Sequence, residues 1–259
     1  VNQQDDDNFR FGILGPLSVG VEMGDVSDLA DQVEEIEGLI DNANAINAVS
    51  NKNRANDILD EIGNSAYVKT TLSMQVPFMP VIYKTKDNGA FMLDASISGV
   101  AKGNLLADKV AVNGTNDGLA SDTSFYAQTA TDFQIGLGYS QAMWENSHGM
   151  LVGGAKANIH QISMGRALVR LDDDSIDAGD AISDSISDDA VSSTGVGIDL
   201  GAVWVSNYYQ VGLTLANINE PEFDGAPITT NAASDKYNIS ASDKYVMEMQ
   251  STVDAAVST

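Results

Sequence analysis

The chain has 259 residues and a net charge of −24, with 13 Lys and Arg against 37 Asp and Glu. This shortage of cations argues against nucleic-acid binding, because phosphate contacts need Lys and Arg. Cysteine is absent, which excludes thiol catalysis, disulfides and thiolate metal sites. No apolar run approaches the ~18 residues of a membrane-spanning helix. The sequence starts at Val1 rather than Met, which predicts a processed or shortened chain.

The first quarter of the chain changes its hydrophobic period. Residues 11–23 have strand character, interrupted at Gly15-Pro16. From Asp25 to about Asn64 the apolar residues step by three or four while acids fill the other faces. This pattern predicts an acidic helical hairpin over residues 25–64, with a second helix around residues 54–62. We expect its apolar stripe to pack on the rest of the fold, and a partner-binding arm is the alternative.

Beyond residue 67 the period is two, which predicts β-strands. Each run has one apolar face and one small or polar face. The predicted strands cover residues 68–78, 91–99, 133–144, 151–159 (extending as far as 169), 195–205, 208–217 and 247–255.

The lengths of the links between these strands alternate. Short links and long polar links follow successive strand ends, at Tyr83, Trp144 and Val205 for the short ones and at Leu105, Leu171 and Asn217 for the long ones. All short turns therefore fall at one end of the sheet and all long loops at the other, as in outer-membrane barrels. By the same parity, the hairpin at residues 25–64 lies on the long-loop side.

These features predict an all-β fold with a helical insertion: one antiparallel transmembrane β-barrel of the outer-membrane type over residues 1–259. A soluble β-sandwich with a helical hairpin is the alternative. The predicted lumen-facing residues are Lys69, Asp94, Lys156, His160, Asp199, Glu248 and Asp254. The predicted aromatic girdle at the membrane interface is Trp144, Trp204, Tyr208 and Tyr209. The expected location is the bacterial outer membrane, whose lipid is then a partner.

One stretch carries a family resemblance. Residues 195–204 read Gly-Val-Gly-Ile-Asp-Leu-Gly-Ala-Val-Trp, and the following Val-Gly-Leu-Thr-Leu-Ala-Asn-Ile-Asn-Glu-Pro-Glu-Phe ends at Phe223. With the acidic segment Asp25–Val33 and the strand Gly149–Gln161, this pair resembles the TraF-like outer-membrane proteins of conjugal transfer. These are similar to the FadL-type transporters of hydrophobic compounds. The resemblance implies an outer-membrane barrel and, for the FadL relatives, diffusion of apolar molecules through a lateral opening.

Catalytic and metal-binding chemistry has little support in the sequence. His148 and His160 are the only histidines and lack zinc-ligand spacing, so we predict no enzyme, no cofactor and no metal centre. Asp172, Asp174 and Asp177 offer oxygen ligands for calcium, but the EF-hand order of ligands is missing. A solvated external loop is the favoured interpretation of this acidic run.

Two functions remain open. The first is a passive channel or transporter for small apolar molecules, lined by the polar strand faces. The second is a structural or interaction protein of the cell envelope, either conjugation-related or self-assembling, that binds an envelope partner through residues 25–64. Neither function involves nucleic acid.

Overall fold

The chain is mostly antiparallel β-structure with a few helices. The computed structural model describes residues 8–63, 66–85, 89–113, 118–171 and 190–257. Its helices are α1 (Leu29–Asp41), α2 (Ala48–Ile62) and α3 (Ala232–Lys236). Its strands are β1 (Phe9–Phe11), β2 (Leu17–Met23), β3 (Tyr67–Gln75), β4 (Val81–Lys84), β5 (Gly89–Leu106), β6 (Ala111–Asn113), β7 (Gly118–Ala120), β8 (Ser124–Asn146), β9 (Gly149–Arg170), β10 (Val191–Val205), β11 (Tyr209–Ala216), β12 (Glu222–Asp224), β13 (Lys244–Val246) and β14 (Gln250–Val257).

Ten of these strands form one antiparallel sheet that occupies eight positions. β1 and β2 share the first position and β3 and β4 share the second, because β3 and β4 both pair with β5. The order then continues β5, β8, β9, β10, β11 and β14. Within the described residues, the outermost positions are β14 and the β1–β2 pair, and no pairing joins them.

The first two positions are broken at the same level of the sheet. Pro16 follows the first break, and Pro80 follows a cis peptide bond in the second. The two breaks bond to each other, since Gly12 N–H donates to the Pro80 carbonyl at 3.2 Å and Phe78 N–H donates to the Ile13 carbonyl at 3.3 Å. Proline removes a ladder donor and is confined to edges and irregularities of sheets, so the predicted interruption at Gly15-Pro16 is confirmed.

Connections alternate in length along the sheet. The links 147–148 and 206–208 lie at one end, where β4 also ends and β5 begins, and which we call the short-turn end. The opposite, long-loop end carries the helices between β2 and β3, the β6–β7 hairpin, the end of β9, the start of β10 and a long segment between β11 and β14. The antiparallel order of adjacent strands makes this segregation unavoidable.

The α1–α2 hairpin packs at the long-loop end. Its buried residues form one apolar cluster with the end of β5 and the β6–β7 hairpin, comprising Ile36, Ala48, Ala55, Ile58, Leu59, Ile62, Ala66, Leu105, Ala107, Val110 and Leu119. The expectation that the apolar stripe packs on the rest of the fold is confirmed. Gly63 caps α2 at a φ of 51°, a conformation that glycine adopts without a Cβ penalty. Neither hairpin helix, nor any other helix in the described ranges, is long and apolar enough to cross a membrane.

Several element boundaries differ from prediction. α2 begins at Ala48 rather than near Arg54, and β8 begins at Ser124 rather than Phe133. β5 continues to Leu106 instead of ending at Gly99. The last strand was predicted from Met247 but starts at Gln250, so Glu248 precedes the sheet and has no strand face.

Candidate functional site on the polar face

The two faces of the sheet differ in chemistry. One, the apolar face, carries exposed aliphatic and aromatic side chains with no second layer over them in the described parts of the chain; on β10 and β11 these include Val196, Ile198, Leu200, Val211 and Leu213, 39–49% exposed. The other, the polar face, carries Ser, Thr, Gln, Gly and charged residues. It is partly covered by residues 217–249, the covering segment, which contains β12, β13 and α3.

Arg166 of β9 anchors the covering segment. Its guanidinium donates to the Tyr126 hydroxyl at 2.9 Å, to the Ala226 carbonyl at 3.2 Å and to the Ser240 carbonyl at 2.8 Å. Arg166 is only 6% exposed. The two carbonyls come from either side of α3, so one buried cation fixes both arms of the covering segment on the sheet.

Further contacts fix the position of α3. Lys236 donates to the Ala107 carbonyl at 2.7 Å, and the Tyr237 hydroxyl donates to the same oxygen at 3.2 Å. Burial raises the pKa of Tyr237, so its hydroxyl stays protonated and keeps donating at neutral pH. An Asn231 capping box closes the helix N-terminus, with Asn231 accepting from the Ser234 N–H.

A belt of polar side chains crosses the polar face at mid-height. Lys156 pairs with Asp94 at 2.8 Å, and both side chains are about one-fifth exposed, at 21% and 19%. Asn158 accepts from Gln134 at 2.8 Å and donates to Asp199 at 2.6 Å. The belt thus joins four neighbouring strands, β5, β8, β9 and β10, through side chains alone.

His160 extends this belt toward the covering segment. Its Nδ1 lies 2.9 Å from Asp132 Oδ2, and its ring makes an edge contact with Phe223 at 6.2 Å between centroids. Its Nε2 is buried and has no hydrogen-bond partner among the residues that the structure describes. Gly195 and Gly197 leave the space for these groups, since a Cβ on Gly195 would stand 2.7 Å from the Phe223 ring and one on Gly197 3.1 Å from His160 Nε2.

The polar face contains two hollows, one on each side of the belt. The larger has a volume of about 580 Å³ and lies between the covering segment and strands β2, β3, β5, β8 and β9. The smaller, of about 530 Å³, lies toward the short-turn end, where Gly138, Gly154 and Gly201 contribute no side chain. Lys156 and Asp199 line the smaller hollow and Asp132 lines the larger one, so the belt separates them.

An aromatic band follows the apolar face near the short-turn end. The Trp144 and Trp204 rings lie 5.8 Å apart between centroids, tilted by 44°, across Leu151 of the intervening strand. The cross-strand register then places Tyr83, Phe91 and Tyr139 beside one another. The sequence pointed to Trp144, Trp204, Tyr208 and Tyr209. The remaining aromatic residues of the band, Phe9, Tyr83, Phe91 and Tyr139, were not predicted.

Most of the residues predicted to line a lumen share the polar face. The cross-strand register places five of them on that face: Lys69, Asp94, Lys156, His160 and Asp199. Asp254 of β14 lies opposite Gly212 of β11, on the same face. Glu248 is the exception, because it precedes β14. The geometry brings Asp94, Lys156 and Asp199 into the belt and leaves Lys69 and Asp254 apart from it.

Sequence reasoning missed Lys102 and Arg166. Both lie on the polar face, in the parts of β5 and β9 that extend beyond the predicted strand cores. The alternation of side chains along each strand could have identified them, since Arg166 is an even number of residues from Lys156 and His160, and Lys102 is an even number from Asp94.

Metal chemistry has no support in the described residues, which contain no group of three His, Cys, Asp or Glu side chains able to hold an ion. Asp172, Asp174 and Asp177 lie outside those residues.

The whole chain matches a protein-family model. The family model for the "F plasmid transfer operon, TraF, protein" matches residues 1–259. No curated protein matches the chain significantly. The match covers the full printed sequence, so it includes the sheet, the helical hairpin and the covering segment alike.

Proposed function

The chain belongs to the TraF family of the F plasmid transfer operon, and from this premise we propose that it forms part of the wall of an outer-membrane β-barrel in the envelope of conjugating bacteria. Its apolar face contacts lipid, and its polar face lines an interior through which small, largely apolar molecules pass passively. In the alternative fold, a soluble β-sandwich, a second sheet would cover the apolar face.

The observation that carries this proposal is the exposed apolar face. On β10 the outward residues from Val196 to Trp204 are apolar and span nine residues, and on β9 Leu151 to Ile159 match them. A tilted strand crosses the hydrocarbon core in ~9–11 residues. The next outward row, Thr194 opposite Gln161, is polar. A soluble protein rarely exposes so large a contiguous apolar surface.

The aromatic band supports the same orientation. Tyr and Trp gather where hydrocarbon meets water, because each ring has an apolar body and a polar edge. Here the band follows the short-turn end of the apolar face across neighbouring strands, as an interfacial girdle does.

The two hollows support the passage. They occupy the polar face on either side of the belt, so a molecule moving along the interior meets a chamber, a polar constriction and a second chamber. Aliphatic residues such as Val100, Ala130 and Met164 line much of the larger chamber, which suits molecules with an apolar body.

Tryptophan fluorescence tests the wall, because Trp144 and Trp204 are the only two tryptophans and both lie in the band. We expect lipids brominated near the headgroup to quench the emission of reconstituted protein more than lipids brominated near the bilayer centre. Equal weak quenching by both lipids, with emission that stays accessible to aqueous iodide, would contradict membrane insertion.

Solute uptake into liposomes tests the passage separately. We expect vesicles that contain the protein to admit a small apolar dye faster than protein-free vesicles. Protein that inserts, as shown by tryptophan quenching, but admits no dye would refute transport and leave the wall intact.

A second function, binding of an envelope partner, has its own observation. The α1–α2 turn exposes Ile46 by 97%. Asparagine side chains hold this turn: Asn44 N–H donates to Asn47 Oδ1 at 2.7 Å, and Ile46 N–H donates to Asn44 Oδ1 at 3.0 Å. We expect Ile46→Asp to weaken the binding of such a partner without unfolding the hairpin. Unchanged binding would remove the support for this function.

A further inference from the structure

We propose that the larger hollow is a binding site for a small organic phosphate, a molecule with an apolar or aromatic body and a doubly charged head. The inference rests on the proposed function in one respect only: it names the class of molecule that the chamber accepts. The site itself depends on the sheet and the covering segment.

The floor of the hollow is a cationic row. Lys69 of β3, Lys102 of β5, Gln128 of β8 and Arg166 of β9 are successive cross-strand partners and all line the cavity. Like charges directly opposite one another destabilise a sheet. Lys69 and Lys102 are such a pair, in a chain that has only 13 Lys and Arg and a net charge of −24.

The positive charge of this row is poorly compensated. Lys102 has no hydrogen bond or ion pair in the described residues, and Lys69 reaches Glu22 only at 4.0 Å. The buried Arg166 donates to neutral oxygens alone, with three of its five N–H groups. Burial of a cation without a carboxylate is costly, and an anion in the hollow would offset that cost.

The acids around the hollow bind groups other than Lys102 and Arg166. Asp132 is engaged by His160 at 2.9 Å, and Lys244 of the lining is engaged by Glu222 at 3.2 Å. Asp243, the other carboxylate of the lining, accepts from the Lys244 N–H at 2.9 Å. Lys102 and Arg166 therefore form no ion pair in the described residues and can each donate to an anion. Arg and Lys are the usual donors to phosphate oxygens.

The size and remaining lining of the hollow indicate an apolar body. A volume of about 580 Å³ is far more than a phosphate group fills. Val100, Ala130, Met164 and Met247 contribute apolar surface next to the cationic row. Tyr245, whose ring packs on Phe223 at 6.3 Å, forms part of the opposite wall and can stack on an aromatic ligand.

Lys102 is the residue that distinguishes a ligand-binding role of the cationic row from a purely structural role. Arg166 would be retained for the covering segment alone, because it holds both arms of that segment. Lys102 makes no contact of that kind, so its substitution changes the charge of the hollow without loosening the covering segment.

Isothermal titration of the detergent-solubilised protein with phenyl phosphate tests the site. We expect saturable binding, with inorganic phosphate weaker and phenol weaker still, because each lacks one half of the ligand. Lys102→Met should weaken phenyl phosphate binding by about tenfold, the effect of one lost charge-assisted contact. Lys109→Met is the matched control, because Lys109 is exposed and lies outside the hollow. The affinity of the Lys109→Met variant for phenyl phosphate should stay within about twofold of that of the unmodified protein.

The absence of binding to the unmodified protein, equal weakening by both substitutions, or phenol binding as tight as phenyl phosphate would each overturn the site. Both lysines are exposed, so neither substitution threatens folding. Binding is measured without any vesicle, whereas passage is measured by dye uptake. A failed titration with intact dye uptake would therefore reject the anion site alone, and the reverse result would reject passage alone.

Discussion

At the scale of single residues, Gly195 decides whether the covering segment can dock. Its missing Cβ leaves room for the Phe223 ring, which is 1% exposed. We expect Gly195→Val to push Phe223 out and to speed hydrogen exchange across residues 222–246, while exchange in β8 and β9 stays slow. Gly201→Val is the control on the same strand and face, because the nearest atom to its added Cβ is 3.9 Å away. Equal exchange in both variants would show that Phe223 does not hold the segment.

The Asp94–Lys156 ion pair is expected to contribute to the stability of the sheet. Lys156→Met would leave Asp94 without a cation in a site about one-fifth exposed, and we expect a loss of about 2–4 kcal/mol in the free energy of unfolding. Adding Asp94→Asn should recover part of that loss, because the orphaned charge is removed. Urea unfolding in detergent measures both. A double variant no more stable than Lys156→Met would contradict a charge-based effect.

The alternation of side chains along the strands predicted the polar face but not the candidate site on it. The alternation of side chains placed Asp94, Lys156 and His160 together on one face from sequence alone. The hydrogen bonds of the belt depend on cross-strand register, which the sequence does not state. The opposition of Lys69 and Lys102 is of the same kind, since the two residues come from strands more than thirty positions apart.

At the scale of elements, the helical hairpin is fixed by its buried side. Ile58 is 2% exposed within the apolar cluster, whereas Ile46 in the turn is 97% exposed. We expect Ile58→Asp to detach the hairpin, because a carboxylate would be buried without a partner. Limited proteolysis within residues 25–64 should then accelerate while the sheet keeps its circular dichroism.

Ile46→Asp provides the matched control for that experiment, since it makes the same substitution at an exposed position. Its cleavage rate should equal that of the unmodified protein. If both variants are cleaved equally fast, the hairpin is not held by the apolar cluster.

The boundaries of the elements were predicted best where apolar and polar residues alternate most regularly. The cores of β10 and β11 follow an apolar pattern and were placed within a few residues. The first nine residues of β8 were missed because Gln128, Thr129 and Asp132 interrupt that pattern. There the strand is specified by pairing with β5 and β9 and by α3 packed over Tyr126, which are tertiary contacts.

At the scale of the whole molecule, the two faces should respond differently to charge. Leu200 lies at the centre of the apolar run of β10 and is 42% exposed. We expect Leu200→Arg to reduce folding into lipid vesicles by about 2–4 kcal/mol, the cost of Arg near the bilayer midplane. Thr214→Arg, exposed on the polar face of the neighbouring strand, should insert nearly as well as the unmodified protein.

Equal insertion of these two variants would refute the lipid-facing assignment, because a soluble sheet tolerates a cation on any exposed face. The antiparallel β-structure with a helical insertion and the alternation of short and long links were readable from the sequence. The covering segment was not, because residues 218–243 read as a polar link and their buried positions, such as Phe223 and Ala233, are isolated in the chain.

The covering segment also sets a minimum circumference for any closed barrel that contains this sheet. A closed ring of eight strands encloses little more than its own side chains. The covering segment puts a short helix, a two-stranded hairpin and a void of about 580 Å³ on the polar face of this sheet. A closed cylinder with that content inside would need a longer circumference than eight strands provide.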